Sequence, residues 1–273
     1  MTTRTREWSA TYTRFGVQMA ARIVSALFVL LLVVGVPVLS LSTARDDRLR
    51  QMRRLELYVS AAISQWALAV VGVVVCFLGS LSAFSVGFRR LAPATALIWA
   101  SALVALSVAA ILLSLFLERH GWWPAESELT YLLIPRTRQE KAWSLLLLVP
   151  TAALCEEFLY RGLLLAQISQ WLPTGAWACA VSSLAFGLAH VYQGWSGIVR
   201  ASLLGALLAY PVIHFGSLYP SMLAHGLIDA VALAWLGPKF LAGNREQGIG
   251  NGPQGTAEMT STIPCSLLPV PCP

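Results

Sequence analysis

Apolar residues run along this chain in blocks of about twenty, separated by short polar stretches, and inside the blocks they do not alternate with polar ones. Blocks of that length suit helices that cross the hydrocarbon core of a bilayer, and the missing alternation argues against barrel strands. Seven blocks are expected to be spans: 19–41, 57–78, 93–117, 142–171, 176–192, 195–215 and 218–236. The predicted fold class is all-α, a polytopic membrane helical bundle of about seven spans with its site enclosed by the last four.

The polar stretches punctuate this pattern. Residues 1–18 hold Arg4, Arg6 and Arg14. The first apolar block, interrupted only by Arg22 and Pro37, is too long for a signal-peptide core and lacks a small-x-small cleavage site, so it is expected to be a span. The linker 43–56 is dense in charge, and Arg89 and Arg90 lie in a loop over 80–92. Trp122-Trp123-Pro124 suits an interfacial aromatic belt, Leu129 to Ile134 a short interfacial helix, and Pro173-Thr174-Gly175 a turn. The amino terminus, the first linker and the second loop are all Arg-rich, so the positive-inside count leaves orientation open, with a lean toward an inside amino terminus. From 237 onward Gly, Pro, Asn, Ser and Thr dominate, and that tail is expected to be disordered.

Composition agrees with a membrane protein. Of 273 residues 57% are hydrophobic and 12% charged, with a mean hydropathy of +0.67, whereas a soluble domain carries roughly a quarter charged. The net charge of +6 comes mostly from Arg at span ends beside anionic lipid. It forms no basic patch of the kind that binds nucleic acid. Cys76, Cys155 and Cys179 sit in apolar blocks and Cys265 and Cys272 in the tail, a scatter that indicates neither a disulfide framework nor a metal site. Pro271-Cys272-Pro273 is no prenylation signal.

Three polar clusters inside apolar blocks carry the candidate chemistry. Cys155-Glu156-Glu157-Phe158-Leu159-Tyr160-Arg161-Gly162 places two carboxylates and a guanidinium where charge is costly, which marks a site facing the bundle interior. Positions four apart share a helix face, so Glu157 and Arg161 are expected to pair as a folding salt bridge. Glu156 is expected to point elsewhere, with Tyr160, and to be free for a different job. Phe186-Gly187-Leu188-Ala189-His190 and His225-Gly226-Leu227-Ile228-Asp229 follow on later blocks. His120 and His214, outside any such cluster, are expected to be packing residues.

With Glu156-Glu157-x-x-x-Arg161, Phe186-x-x-x-His190 and His225-x-x-x-Asp229 in that order, residues 140 to 236 resemble the CAAX proteases and bacteriocin-processing enzymes. That family, also called Abi, includes the type II CAAX prenyl endopeptidases. The resemblance implies peptide hydrolysis inside the membrane without covalent catalysis, cofactor or metal. It assigns Glu156, helped by His190, to activating a water, and His225 with position 229 to stabilising the oxyanion. It leaves Glu157, Arg161 and Phe186 as support. One departure is Asp229, where the prenyl endopeptidases carry Asn. An ionised Asp repels an oxyanion, so Asp229 is expected to be protonated or to orient His225. The layout expected is N-terminal membrane helices and linkers without signature over 1–141, a catalytic helical core over 142–236 and the tail over 237–273. The partners expected are a peptide or membrane-protein substrate and the lipid bilayer, in a bacterial plasma membrane. Two rival readings keep the same residues. One is a zinc protease liganded by Glu156, His190 and His225; the other is a non-catalytic scaffold, immunity-type protein or transporter.

Overall fold

The computed structural model describes residues 3–124 and 127–237. The tail beyond 237, with Cys265 and Cys272, and the side chains of Arg4, Arg6 and Arg14 lie outside the described residues. Everything described is helix, turn or loop, apart from one antiparallel bridge between Phe88 and Ser217. The chain is a multi-pass membrane protein built as a helical bundle.

Five helices are long and apolar enough to cross a membrane: α1 (Gly16–Ala44), α2 (Arg54–Leu78), α3 (Pro93–Arg119), α4 (Arg138–Ile168) and the segment Val191–Phe215, most of which is α6. The fifth and seventh expected spans are also helices, α5 (Gly175–Ala189) and α7 (Tyr219–Val231). At 15 residues α5 is only about 22 Å long, short of the ~30 Å hydrocarbon thickness. Thr174 caps its start by accepting from the Trp177 amide, and its last turn closes at His190 rather than at Tyr192 as expected. Helix α6 proper is Gly194–Phe215, ended by Gly216 in the left-handed conformation that favours glycine. The short helix expected over Leu129–Ile134 is Glu128–Leu133, capped by Ser127.

Two prolines shape the helices that carry them. Pro37 and Pro150 lack an amide proton, and their rings crowd the carbonyls of Val33 and Leu146. In both helices the crowded carbonyl lies in a widened turn, Leu31–Gly35 in α1 and Ser144–Leu148 in α4. The helix absorbs the clash by widening and does not break.

Helix α4 is the most enclosed span, with 56% of its most apolar window buried against 22–33% for the other four. It starts at a capping box between Thr137 and Glu140, whose reciprocal bonds satisfy orphan amides of the first turn. Helices α5 and α6 pack face to face through small residues. A Cβ on Gly187 would stand 2.6 Å from the Ile198 carbonyl and collide with Ser202 Oγ, so only glycine permits that approach. The loop before α3 folds back against α4 and the start of α7. Leu218 donates to the Gly87 carbonyl at 2.7 Å, and a Cβ on Gly162 would lie 2.8 Å from the Val86 carbonyl.

Candidate active site

The centre of the site begins with the widening of α4. Over Glu157–Leu164 the helix carries a second widened stretch, a feature common where helices bear function. Glu157 and Arg161 lie in this stretch with no exposed side-chain surface, and Arg161 Nη1 donates to Glu157 Oε1 at 2.9 Å. The expected i,i+4 pair is therefore formed. The guanidinium lies 3.9 Å from the centre of the Phe186 ring, and its Nε reaches the Gly205 carbonyl of α6 at 3.4 Å. A buried cation is thus held by a carboxylate, a ring face and a backbone carbonyl.

The same carboxylate oxygen has a second partner. Glu157 Oε1 is 2.7 Å from Nδ1 of His225. A carboxylate already accepting from Arg161 takes the imidazole N–H as well, so Nδ1 of His225 carries the proton. On α5, Nδ1 of His190 lies 2.8 Å from the Phe186 carbonyl. A carbonyl only accepts, so this Nδ1 is protonated too, and the bond satisfies a carbonyl left open at the helix end. In the neutral ring each Nε2 then presents a lone pair to the site.

Both Nε2 atoms face Glu156. Its Oε2 lies 3.9 Å from Nε2 of His190 and 3.9 Å from Nε2 of His225, and has no hydrogen-bond partner. Its Oε1 accepts from Nε2 of Gln65 on α2 at 2.6 Å. Glu156 and Glu157 thus take different partners, Gln65 for the one and Arg161 for the other. The His225 ring lies between the two carboxylates, with Glu157 on Nδ1 and Glu156 toward Nε2. Tyr160 sets its ring edge-on to Phe186 with centroids 5.2 Å apart.

Asp229 lies on the Nε2 side, with Oδ2 3.5 Å from Nε2 of His225 and 30% of its side chain exposed. Asp229, expected to be protonated or to orient His225, thus lies on the Nε2 side of that ring, and Glu157 lies on Nδ1. Phe186 supports all of these groups, its ring centre 4.5 Å from that of His190 and 6.1 Å from that of His225. The site is sealed at the Glu157–Arg161 end and opens toward Asp229. His120 and His214 are exposed and stand apart from this cluster, the first bonding the Phe116 carbonyl and the second stacking on Tyr210.

Gln65 is the residue that sequence reasoning missed. Its signal is a single carboxamide in an apolar block, 57–78, that holds no charged residue. Beside it Trp66 donates to Thr151 Oγ1 at 3.1 Å, so α2 joins the last four helices around the site. Among the described residues, no group of three or more His, Cys, Asp or Glu side chains is arranged to hold a metal ion.

Comparison with known proteins places this cluster. Residues 138–231 match the family described as type II CAAX prenyl endopeptidase, Rce1-like. That segment is similar to the CAAX-protease family. It contains all three motifs and the helices α4 to α7 that carry them. No curated protein and no solved structure matches the chain. The matched segment covers the last four helices of the bundle, while Gln65 reaches the site from outside it.

Proposed function

We propose that this protein is an intramembrane endopeptidase in which Glu156 activates a water for attack on a peptide carbonyl. One observation carries the reading. With both imidazoles neutral, Glu156 Oε2, the two Nε2 atoms and Asp229 Oδ2 are all acceptors; Oε2 of Glu156 stands 3.9 Å from Nε2 of His190 and 3.9 Å from Nε2 of His225, which is 3.5 Å from Asp229 Oδ2. A cluster of acceptors in an enclosed site is satisfied by a small proton donor, and water supplies two protons.

The steps balance. As the water oxygen attacks the carbonyl carbon, Glu156 Oε2 takes one of its protons, with His190 Nε2 accepting from the other. When the C–N bond breaks, the proton on Glu156 passes to the leaving nitrogen, giving a carboxylic acid and an amine. His225 serves the oxyanion once its Nε2 has taken a proton from solvent at the open Asp229 end, and it returns that proton to solvent when the products leave. The imidazolium then sits between Glu157 on Nδ1 and Asp229 near Nε2, and it donates from a site with little water to screen the charge. In this scheme Asp229 need not donate to the oxyanion, which accounts for Asp in place of Asn. The substrate class is a peptide or membrane-protein segment.

Zinc would use the same Glu156, His190 and His225. Ligands of tetrahedral zinc with bonds of about 2.1 Å stand about 3.4 Å apart. The separations here are 3.9 Å, which favours water. The test is purified protein in lipid vesicles with a mixed peptide library, read by mass spectrometry in ¹⁸O-labelled water. Wild type is expected to release peptides with one labelled carboxyl oxygen, with or without a chelator, and Glu156→Gln to release none. Loss of cleavage on chelation supports zinc, and cleavage by neither protein supports a scaffold.

A further inference from the structure

We propose that Gln65 is a positioning residue that sets the orientation of the Glu156 carboxylate. The inference rests on the reading of Glu156 as the base. Glu156 has two oxygens with different surroundings. Oε1 accepts from Gln65 Nε2 at 2.6 Å, while Oε2 faces the two imidazoles at 3.9 Å with no hydrogen bond of its own.

Without a donor on Oε1, the carboxylate plane is free to turn, because the terminal side-chain torsion is broad. The 2.6 Å bond fixes the angle of that plane and so holds one oxygen toward the imidazoles. The carboxamide has no competing tie: its Oε1 is buried with no partner, so the bond to Glu156 fixes the amide as well. A polar side chain in an apolar span is costly, and Gln65 sits on the face of α2 that meets α4. The neighbouring Trp66–Thr151 bond, 3.1 Å long, pins the two helices in register there. Since α2 lies outside 138–231, the matched segment does not by itself complete the surroundings of Glu156.

The test uses the whole protein in vesicles and the variant Gln65→Met, which keeps the length and flexibility of the side chain and removes the donor. Two quantities are read beside thermal stability. The first is the infrared carboxylate band that disappears in Glu156→Gln; it should shift in Gln65→Met, and this readout does not depend on activity. The second is turnover: kcat should fall about 10–100-fold, as expected for a misplaced reacting group, while KM stays within about twofold. A role confined to packing would move Tm and leave the band in place. An unshifted band, or an unchanged kcat, overturns the proposal while the base assignment stands. If Glu156→Gln cleaves like wild type, the base assignment fails and the positioning role falls with it, whatever the band does. Should Gln65→Met not insert, Gln65→Leu is read in the same way.

Discussion

At the scale of single residues, the account turns on which nitrogen of each histidine faces which oxygen. The pairing of Glu157 with Arg161 was legible because spacing of four on a helix needs no tertiary information. The approach of Glu157 to Nδ1 of His225 was not, because it depends on how α4 and α7 are set against each other, 68 residues apart in sequence. The i,i+4 spacing pointed to Asp229 as one neighbour of His225, at 3.5 Å; the nearer carboxylate, Glu157 at 2.7 Å, was hidden for the same reason. The consequence for stability is large. Removing one member of a buried ion pair leaves the other charge unpaired, so Arg161→Ala should cost about 3–5 kcal/mol, read as a fall in Tm and in membrane abundance. The double variant Arg161→Met with Glu157→Leu should recover much of that stability and remain inactive, since His225 then has no carboxylate on Nδ1. An Arg161→Ala protein as stable as wild type would show that the pair contributes nothing.

At the scale of elements, periodicity located the helices but not their ends or their widened turns. The end of α5 was expected at Tyr192 because apolar residues continue to Val191 and Tyr192; packing of Gly187 on α6 and closure at His190 end it earlier. That end matters, because it presents His190 where the chain leaves the helix and its Nδ1 finds a free carbonyl. Gly187→Ala should therefore separate α5 from α6, costing about 1–3 kcal/mol by overpacking, and should depress cleavage more than Tm alone explains. Thermal unfolding and kcat measured on one preparation check this. A Gly187→Ala protein with normal Tm and turnover would mean that the close approach is dispensable. Gln65 eluded the sequence for a reason of the same kind: one amide in an apolar helix has no periodic signature, and its partner lies 91 residues away.

At the scale of the whole molecule, composition and block length foretold a membrane bundle because lipid admits few alternatives. The outward side chains agree: Ile63, in mid-span of α2, is 65% exposed, and Leu146 on α4 is 80% exposed, though both are strongly apolar. Such residues face lipid, so Ile63→Arg should disfavour insertion by about 2.5–3.5 kcal/mol, and the same change in the linker at Gln51 should not. Quantifying each variant in the membrane fraction decides between lipid and water on that face. The motif-bearing helix is the most enclosed span, and groups for chemistry arrive from α2, α4, α5 and α7.

The central claim, that one carboxylate and two imidazoles form a working hydrolytic centre, is tested most directly by comparing membrane peptidomes of cells that carry wild type or Glu156→Gln at equal abundance. The account predicts a defined set of new peptide termini in wild type that vanishes in the variant. Identical termini in both would contradict it.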